Sequence, residues 1–335
     1  MRFLLLSNDS NLFDITRNCI KENKESEVID LIGKQSFTVS YDHSPKGFGQ
    51  IVSIGSCFLY NKRKNIPFFP EAIDAKLDVD FSISTKACIN GKVMDIPQIL
   101  IKEKIRKKNE DPRFSGKDYL EPSYFSLAGD SIKESDLFEE DARIGIDKNY
   151  SGIADDAAFY KQISYRLKKE DFCFAFEIEV KDGVDLQKYN KQLVKLGADA
   201  SSFVFEAKVL KEETKNEKMA QSEIRLNYPE SKDKLRVALI SDTYIGKQKM
   251  ENECNIRYAI TNVRPFRFLS TPNSTNPQDY NMKYRTYRSE KRYDLYKAGS
   301  VFYFETEAER EHFCKVLDHY KEFKQIGYNN YSKNK

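Results

Sequence analysis

The segment 139–160 constrains the fold most, because its pattern is that of two strands joined by a turn. Apolar residues flank a centre that contains Gly145, Asp147 and Gly152, and residues of these types favour turns over regular structure. We therefore expect an exposed hairpin, or finger, over this segment.

Three residues would give this finger a chemistry suited to nucleic acid. Arg143 and Lys148 supply cations and Tyr150 supplies a flat ring, which are the groups that hold a phosphate backbone and stack on a base. An ordinary surface hairpin with a solvated basic tip is the alternative. Periodicity alone favours that alternative.

Composition limits the classes of protein that the chain can belong to. Its 335 residues can form one large or two medium cores. Charged residues make up 32%, but the net charge is only +3, so a nucleic-acid surface would have to come from local clusters. The six cysteines are scattered without a CxxC pair, which indicates reduced thiols and predicts neither a metal site nor another cofactor. No apolar run approaches membrane-spanning length, so we expect a cytoplasmic protein without a membrane partner.

The segment 257–297 concentrates the groups that bind nucleic acid. It contains nine Lys or Arg and three acidic residues, interleaved with eight Tyr or Phe. Cations release counterions from phosphates, and rings stack on unpaired bases. Pro265, Pro272 and Pro277 exclude a continuous recognition helix, so a groove for single-stranded RNA is the better interpretation. A second basic run, 102–117, would be either a groove wall or a solvated loop.

Hydrophobic periodicity predicts an alternation of strands and helices. The predicted strands are 50–60, 77–83, 92–96, 162–166, 171–180, 202–210, 235–241 and 301–305, and the predicted helices are 12–32, 186–197 and 308–323. The order strand, helix, strand over 171–210 is one that a ferredoxin-like fold requires. The polar segment 212–223 reads as a mobile insertion.

Two motifs resemble a known family. Glu140-x-x-Arg143-Ile144-Gly145-Ile146-Asp147, followed by Gly152 and Phe159-Tyr160, is similar to the mid-chain signature of CRISPR repeat-associated (RAMP) proteins. The strand Tyr296-Lys-Ala-Gly-Ser-Val-Phe-Tyr-Phe-Glu305 resembles one from a branch of that family, the third Cmr subunit of type III-B effector complexes. The motifs lie in the order that the family shows, and the resemblance extends from about residue 40 to the end.

The resemblance implies an α+β fold of two ferredoxin-like (RRM-like) domains with an inserted hairpin finger. The first domain would be 1–160, including the finger, and the second 161–335, including a long loop at 250–297. It also implies a subunit without catalytic residues that binds the repeat-derived 5′ tag of a single-stranded guide RNA in antiviral defence. Its partners would be the large polymerase-like subunit, the backbone RAMP subunits and, indirectly, the target RNA.

The expected RNA contacts combine the basic and aromatic residues with the small residues of the matching motifs. They are Lys46, Arg143, Lys148, Tyr150, Arg264, Arg267, Arg285, Arg288, Lys291, Arg292, Lys297, Gly299, Ser300, Gly327 and Tyr328. Three alternatives stay open. The chain could be the tag-binding subunit of a type III-A complex, a guide-processing endonuclease that uses His43, His312 or His319, or a generic RNA-binding module.

Overall fold

The structure is a computed structural model, and it describes most of the chain after residue 49. The described residues are 50–89, 92–101, 122–126, 128–148, 154–196, 201–209, 235–266, 269–270, 287–288 and 292–333. Several predicted features lie outside them, namely the helix 12–32, the basic run 102–117 and the insertion 212–223.

Short antiparallel strands dominate the described residues, and helices are few. The strands are β1 (Ile51–Ile54), β2 (Phe58–Asn61), β3 (Ile66–Pro70), β4 (Leu77–Ile89), β5 (Lys92–Ile101), β6 (Ser123–Ser126), β7 (Ser131–Lys133), β8 (Phe138–Lys148), β9 (Ala154–Leu167), β10 (Phe172–Ala175), β11 (Ile178–Val180), β12 (Leu193–Leu196), β13 (Ser201–Val204), β14 (Leu235–Leu239), β15 (Thr243–Tyr244), β16 (Tyr258–Ile260), β17 (Val263–Phe266), β18 (Leu269–Ser270), β19 (Tyr287–Arg288), β20 (Tyr293–Tyr296), β21 (Val301–Phe304) and β22 (Tyr331–Lys333). The helices are α1 (Glu134–Leu137), α2 (Lys247–Glu253), α3 (Glu307–His319) and α4 (Lys321–Gln325), with 3₁₀ turns at Ile73–Lys76 and Gln187–Tyr189. The fold is therefore mixed and strand-rich, in agreement with the predicted α+β class.

The chain forms two compact units. One is continuous and spans Cys57–Ala175, and the other combines the residues before Cys57 with those from Phe176 onward. The predicted domain boundary after residue 160 lies inside β9.

The Cys57–Ala175 unit is built on a five-stranded antiparallel sheet in the order β10-β2-β3-β6-β7. Its core contains Leu59, Phe68, Leu137 and Phe172, each at most 6% exposed. The rings of Phe68 and Phe172 meet edge to face, with their centroids 5.3 Å apart. Two long hairpins, β4–β5 and β8–β9, belong to the same unit.

The hairpin predicted over 139–160 is confirmed, and its second strand continues to Leu167. Its antiparallel register pairs Glu139 with Arg166 at one end and Ile146 with Phe159 toward the turn, where the pairing becomes irregular. Alternation places successive side chains on opposite faces of this ribbon. Tyr150 lies outside the described residues.

The other unit contains a four-stranded antiparallel sheet in the order β16-β21-β14-β22. Along the chain, its elements follow the sequence β14, α2, β16, β21, α3, β22. Phe302 and Phe304 of β21 pack on Phe313 of α3, with ring centroids 4.9 and 5.2 Å apart. The predicted helix 308–323 is confirmed as α3 and α4, which divide at Tyr320.

Local chemistry explains where α3 begins and which face it buries. The Thr306 hydroxyl accepts a hydrogen bond from the Glu309 N–H, and the Glu309 carboxylate accepts one from the Thr306 N–H. This capping box satisfies donors that the first turn would leave free. The predicted stripe of Phe313, Val316, Leu317 and Tyr320 is buried, with each residue at most 4% exposed.

The predicted helix 186–197 is wrong. The segment contains only the 3₁₀ turn at Gln187–Tyr189, and then β12 pairs antiparallel with β13, with Leu193 opposite Val204. Lys191 has φ of +66°, a left-handed conformation that ends a helix. The side chain of Asn190 bonds both backbone groups of Ala207, which favours the hairpin. The strand, helix, strand unit predicted over 171–210 is therefore absent from this described segment.

Two predicted strands are each divided. The segment 50–60 forms β1 and β2, interrupted at Gly55–Cys57, and 171–180 forms β10 and β11, interrupted at Phe176–Glu177. The interruptions coincide with the two points where the chain passes between the compact units. The alternation of apolar residues continues through both interruptions, so the sequence pattern did not predict them.

Two absences among the described residues concern membranes and metals. None of the helices in this part of the chain is long and apolar enough to cross a membrane. The same residues contain no group of three or more His, Cys, Asp or Glu side chains that could hold a metal ion.

Candidate nucleic-acid interface

The basic and aromatic segment is inserted between two neighbouring strands of the four-stranded sheet. After β16 the chain forms β17, and it returns through β20 before entering β21. β17 and β20 pair antiparallel, with Val263 opposite Tyr296, and β15 adds to the other side of β20. β17 is thus an edge strand, which explains how it accommodates Pro265.

This insertion separates apolar from charged side chains. Tyr293 and Leu295 of β20 are buried, at 5% and 0% exposure. The side chain of Arg264 on β17 is 49% exposed, and that of Arg292, just before β20, is 59% exposed. The buried residues anchor the hairpin in the core while the arginines face solvent.

Asp242 joins three segments beside this hairpin through its carboxylate and its backbone carbonyl. The Asp242 Oδ1 accepts a hydrogen bond of 2.9 Å from the Ala298 N–H, and its Oδ2 pairs with Nη2 of Arg264. The backbone carbonyl of Asp242 accepts from the Asn329 N–H at 3.1 Å. We call Asp242, Arg264, the turn 297–300 and the loop 327–329 the turn cluster.

Gly299 and Ser300 shape the turn of this cluster. Gly299 has φ of +90°, a conformation that glycine adopts without strain. Its N–H donates to the Leu239 carbonyl at 2.8 Å, and the Ser300 N–H donates to that of Lys297 at 3.1 Å. The two donors therefore hold the protein's own backbone, and the turn presents the exposed side chain of Lys297. A direct contact of Gly299 or Ser300 with phosphate stays a prediction.

Gly327 occupies a position that a larger residue would not fit. Its φ is +87°, and a Cβ built there would lie 2.8 Å from the carbonyl carbon of Gly55. The Ser56 hydroxyl donates to the Gly327 carbonyl at 3.1 Å and accepts from the Asn330 amide at 2.7 Å. This glycine is required by close packing of two backbone segments, whether or not it also contacts RNA.

Tyr328 packs against rings of the same unit. Its centroid lies 5.6 Å from that of Phe266 and 6.2 Å from that of Phe323. Burial raises the pKa of Tyr328, the Arg264 guanidinium opposes this shift and the Asp242 carboxylate adds to it. Tyr328 therefore links the β17–β20 hairpin, through Phe266, to helix α4, through Phe323.

Asn329 holds the loop 327–329 in place through hydrogen bonds of its buried side chain. It is fully buried and has φ of +57°. Its side-chain oxygen accepts from the Tyr244 N–H at 2.8 Å, and its side-chain nitrogen donates to the Tyr244 carbonyl at 2.9 Å. Both polar groups of this buried amide are thus paired.

The structure brings together six of the predicted RNA contacts and leaves the others apart or undescribed. Arg264, Lys297, Gly299, Ser300, Gly327 and Tyr328 meet in or beside the turn cluster. Arg292 lies at the opposite end of β20, where it pairs with Asp294 at 3.4 Å. Arg143 and Lys148 lie on β8 and Arg288 on β19. Lys46, Tyr150, Arg267, Arg285 and Lys291 lie outside the described residues.

The second face of the four-stranded sheet is not an open platform. Tyr303 points away from the face that packs on α3 and is only 1% exposed, and its cross-strand neighbour Arg236 is 6% exposed. RRM-type domains stack bases on exposed aromatics of the sheet face. Because this face is buried, the exposed cations of the β17–β20 hairpin are the better candidates for RNA contact.

Sequence reasoning missed Asp242 and Asn329. Their side chains bond partners 56 and 85 residues away along the chain, so no local pattern reveals these pairs. The only local signal is the polar triplet Ser241-Asp242-Thr243, which follows the buried strand β14 after Ile240. His312 and His319 are exposed on α3, and His43 lies outside the described residues.

Comparison with known proteins identifies one family. Residues 100–332, more than half of the chain, match the family described as CRISPR-associated protein (Cas_Cmr3). No curated protein matches the chain.

Two solved structures are similar to the chain at low identity. One is from the type III-B Cmr-beta bound to cognate target RNA, with 12% identity, a TM-score of 0.42, and coverage of 84% of this chain and 75% of the other. The second is from the same type of complex with cognate target RNA and AMPPnP, with 12% identity, a TM-score of 0.41, and coverage of 90% and 85%.

Proposed function

Since the chain belongs to the CRISPR-associated Cas_Cmr3 family, we propose that it is a non-catalytic subunit of a type III-B effector complex. In this role it binds the repeat-derived 5′ tag of the guide RNA, docks the large polymerase-like subunit and the backbone RAMP subunits, and meets target RNA only indirectly. The solved complexes that resemble it contain cognate target RNA.

The observation that carries the RNA-binding part of the proposal is the exposure of Arg264 and Lys297 within the turn cluster. Each cation projects from backbone that is fixed by internal hydrogen bonds. Because the backbone is already ordered, contact with a phosphate costs only the ordering of the side chain. The β8–β9 hairpin offers a second surface, with Arg143 and Lys148 toward its tip.

The fold around β14 supports a ferredoxin-like classification of the second unit. Its elements follow the order strand, helix, strand, strand, helix, strand, which is the ferredoxin-like arrangement. The long basic hairpin would then be an insertion between the second and third strands of that fold. We propose this classification for the second unit alone, because the Cys57–Ala175 sheet contains only the one-turn helix α1 among its described residues.

The test is to purify the tagged chain gently from its own cell, sequence the RNA that accompanies it and identify the proteins. The proposal predicts RNAs that share one repeat-derived 5′ end, together with several larger and smaller subunits. A chain that arrives alone, or with RNAs of unrelated 5′ ends, would contradict it.

Charge-reversal variants then test which basic residues contact the guide RNA. Arg264→Glu, Arg143→Glu and Arg288→Glu should each reduce the amount of guide retained, because they replace attraction to phosphate by repulsion. Lys315→Glu is the matched control, since Lys315 is exposed on α3 of the same unit as Arg264. Unchanged retention in the three arginine variants, or equal loss in the control, would remove these residues from the interface.

A further inference from the structure

Asp242 differs from an ordinary surface partner of an arginine. Its side chain is only 15% exposed, whereas Glu139, which pairs with Arg166 on the finger, is 50% exposed. One of its oxygens is fixed by the Ala298 N–H and the other faces Arg264. The Asp242 carboxylate is therefore fixed by the backbone N–H of Ala298, and its second oxygen contacts the half-exposed guanidinium of Arg264.

We infer that Asp242 is a positioning residue, which orients the Arg264 guanidinium for contact with an RNA phosphate. The inference rests on the proposed function, since it supposes that the exposed edge of Arg264 binds RNA. A guanidinium has five N–H donors in one plane, so Asp242 can bind one edge while the other remains available. Orientation before binding reduces the side-chain entropy that is lost when the phosphate arrives.

The main rival is that Asp242 masks Arg264. A carboxylate next to the guanidinium also repels phosphate, so a mask would weaken RNA binding and its removal would strengthen it. The geometry favours positioning. Arg264 stays half exposed although it is paired, and the Asp242 carboxylate itself is withdrawn from solvent. Phosphate would then meet mainly the guanidinium.

The experiment compares the wild type, Asp242→Asn, Arg264→Ala and the double variant in the purified complex. Asparagine keeps the size of the side chain and an oxygen for the Ala298 N–H, and it replaces the charged oxygen that faces Arg264 with a neutral NH₂ group. The probes are two fluorescent single-stranded RNA oligonucleotides, one with the repeat-derived 5′ sequence and one with an unrelated 5′ end. Kd is measured over a series of KCl concentrations, and thermal unfolding is recorded for each variant.

Asp242→Asn should weaken binding about 2- to 10-fold, as expected for coupling between side chains in contact. Loss of one phosphate contact lowers the slope of log K against log salt by about 1. Arg264→Ala should lower this slope by the full amount, and Asp242→Asn should lower it by a large part of that amount. The double variant should bind no more weakly than Arg264→Ala, because Asp242 acts through Arg264.

Binding by Asp242→Asn that equals or exceeds the wild type would overturn the inference, as would losses that add in the double variant. If Asp242→Asn lowers the unfolding temperature too far for binding to be measured, Arg264→Lys replaces it. Lysine keeps the charge but lacks the planar fork, so full binding by that variant would also overturn positioning.

The two RNAs separate this inference from the proposed function. Equal affinity of the wild type for both would contradict tag recognition, while the comparison among variants still decides the role of Asp242. Binding of neither RNA would overturn positioning, and the RNA recovered from the cell would still decide the function.

Discussion

The β8–β9 hairpin and the turn cluster are held in opposite ways. In the hairpin, backbone pairs between neighbouring strands carry the structure, and side chains such as Ile144 and Tyr165 are 78% and 66% exposed. In the turn cluster, the side chain of Asp242 and the fully buried amide of Asn329 hold the backbone in place. The hairpin therefore exposes side chains such as Ile144 and Tyr165 to solvent, whereas the cluster uses the side chains of Asp242 and Asn329 for its own stability.

This difference separates binding from folding. Removing an exposed side chain of the hairpin should affect a partner and leave the free energy of unfolding unchanged. Removing a group of the cluster, or of the core beneath it, should affect folding first. The following substitutions test that separation, beginning with the largest expected effect.

Leu317→Ala and Ile144→Ala give the widest contrast. Leu317 is fully buried on α3, in the core that supports the cluster, and such truncations cost roughly 3–5 kcal/mol of unfolding free energy. Ile144 is 78% exposed, and exposed substitutions usually change stability by no more than about 0.5 kcal/mol. Urea unfolding of the two variants measures the contrast. A similar loss in both would mean that the hairpin face is packed in the folded protein.

Gly327→Ala should be the next most damaging change. A left-handed backbone costs a residue with a Cβ about 1–2 kcal/mol, and the overlap with Gly55 adds about 1–3 kcal/mol. Gly183→Ala is the matched control. Gly183 has φ of +85° with no atom within 4 Å of a built Cβ, so that variant should lose about 1–2 kcal/mol from the backbone conformation alone. Equal losses would show that the contact with Gly55 relaxes at no cost.

Asn329→Gly tests the amide that locks the cluster. Glycine tolerates the positive φ of this position, so the variant removes the side-chain hydrogen bonds to Tyr244 and to the Leu317 carbonyl without straining the backbone. Leaving buried backbone groups without partners costs about 1–3 kcal/mol. Urea unfolding should show a loss of this size, and Asn329→Asp should lose at least as much, because it would bury a carboxylate oxygen against the carbonyls of Tyr244 and Leu317. An Asn329→Gly variant as stable as the wild type would mean that water satisfies Tyr244.

The same contrast explains how much could be predicted from the sequence. The finger and the helix 308–323 depend on turn residues and periodicity within about 20 positions, so local patterns were sufficient. The helix predicted at 186–197 was wrong, because the segment instead enters an antiparallel hairpin in which Leu193 lies opposite Val204. The partners of Asp242 come from three distant segments. Only the folded topology brings them together, so the support of Arg264 could not be predicted.

The smallest expected effect concerns two ion pairs, one on the finger and one between α3 and β22 in the unit that contains the turn cluster. The hydrogen bond from Lys333 lowers the pKa of Glu311, with the Lys333 Nζ 2.5 Å from the Glu311 Oε2. A carboxylate whose pKa is lowered by folding stabilises the protein above its unfolded pKa, and this contribution is lost as pH falls through the folded pKa. Partly exposed ion pairs contribute little to stability. Glu311→Gln should therefore lower the free energy of unfolding by roughly 0.5 kcal/mol near pH 7. It should have no effect at a pH low enough to protonate Glu311 in both the folded and the unfolded protein.

Unfolding in urea at pH 7 and at progressively lower pH tests whether the contribution of Glu311 to stability is lost as the pH falls. Glu311→Gln, Lys333→Met and their double variant should converge on the wild type in acid, and the double variant should lose no more than either single one. Glu139→Gln on the finger should change stability less, because Glu139 and Arg166 are 50% and 75% exposed. A larger pH dependence from Glu139 than from Glu311 would break the comparison, since it would mean that side chains of the hairpin also contribute to folding.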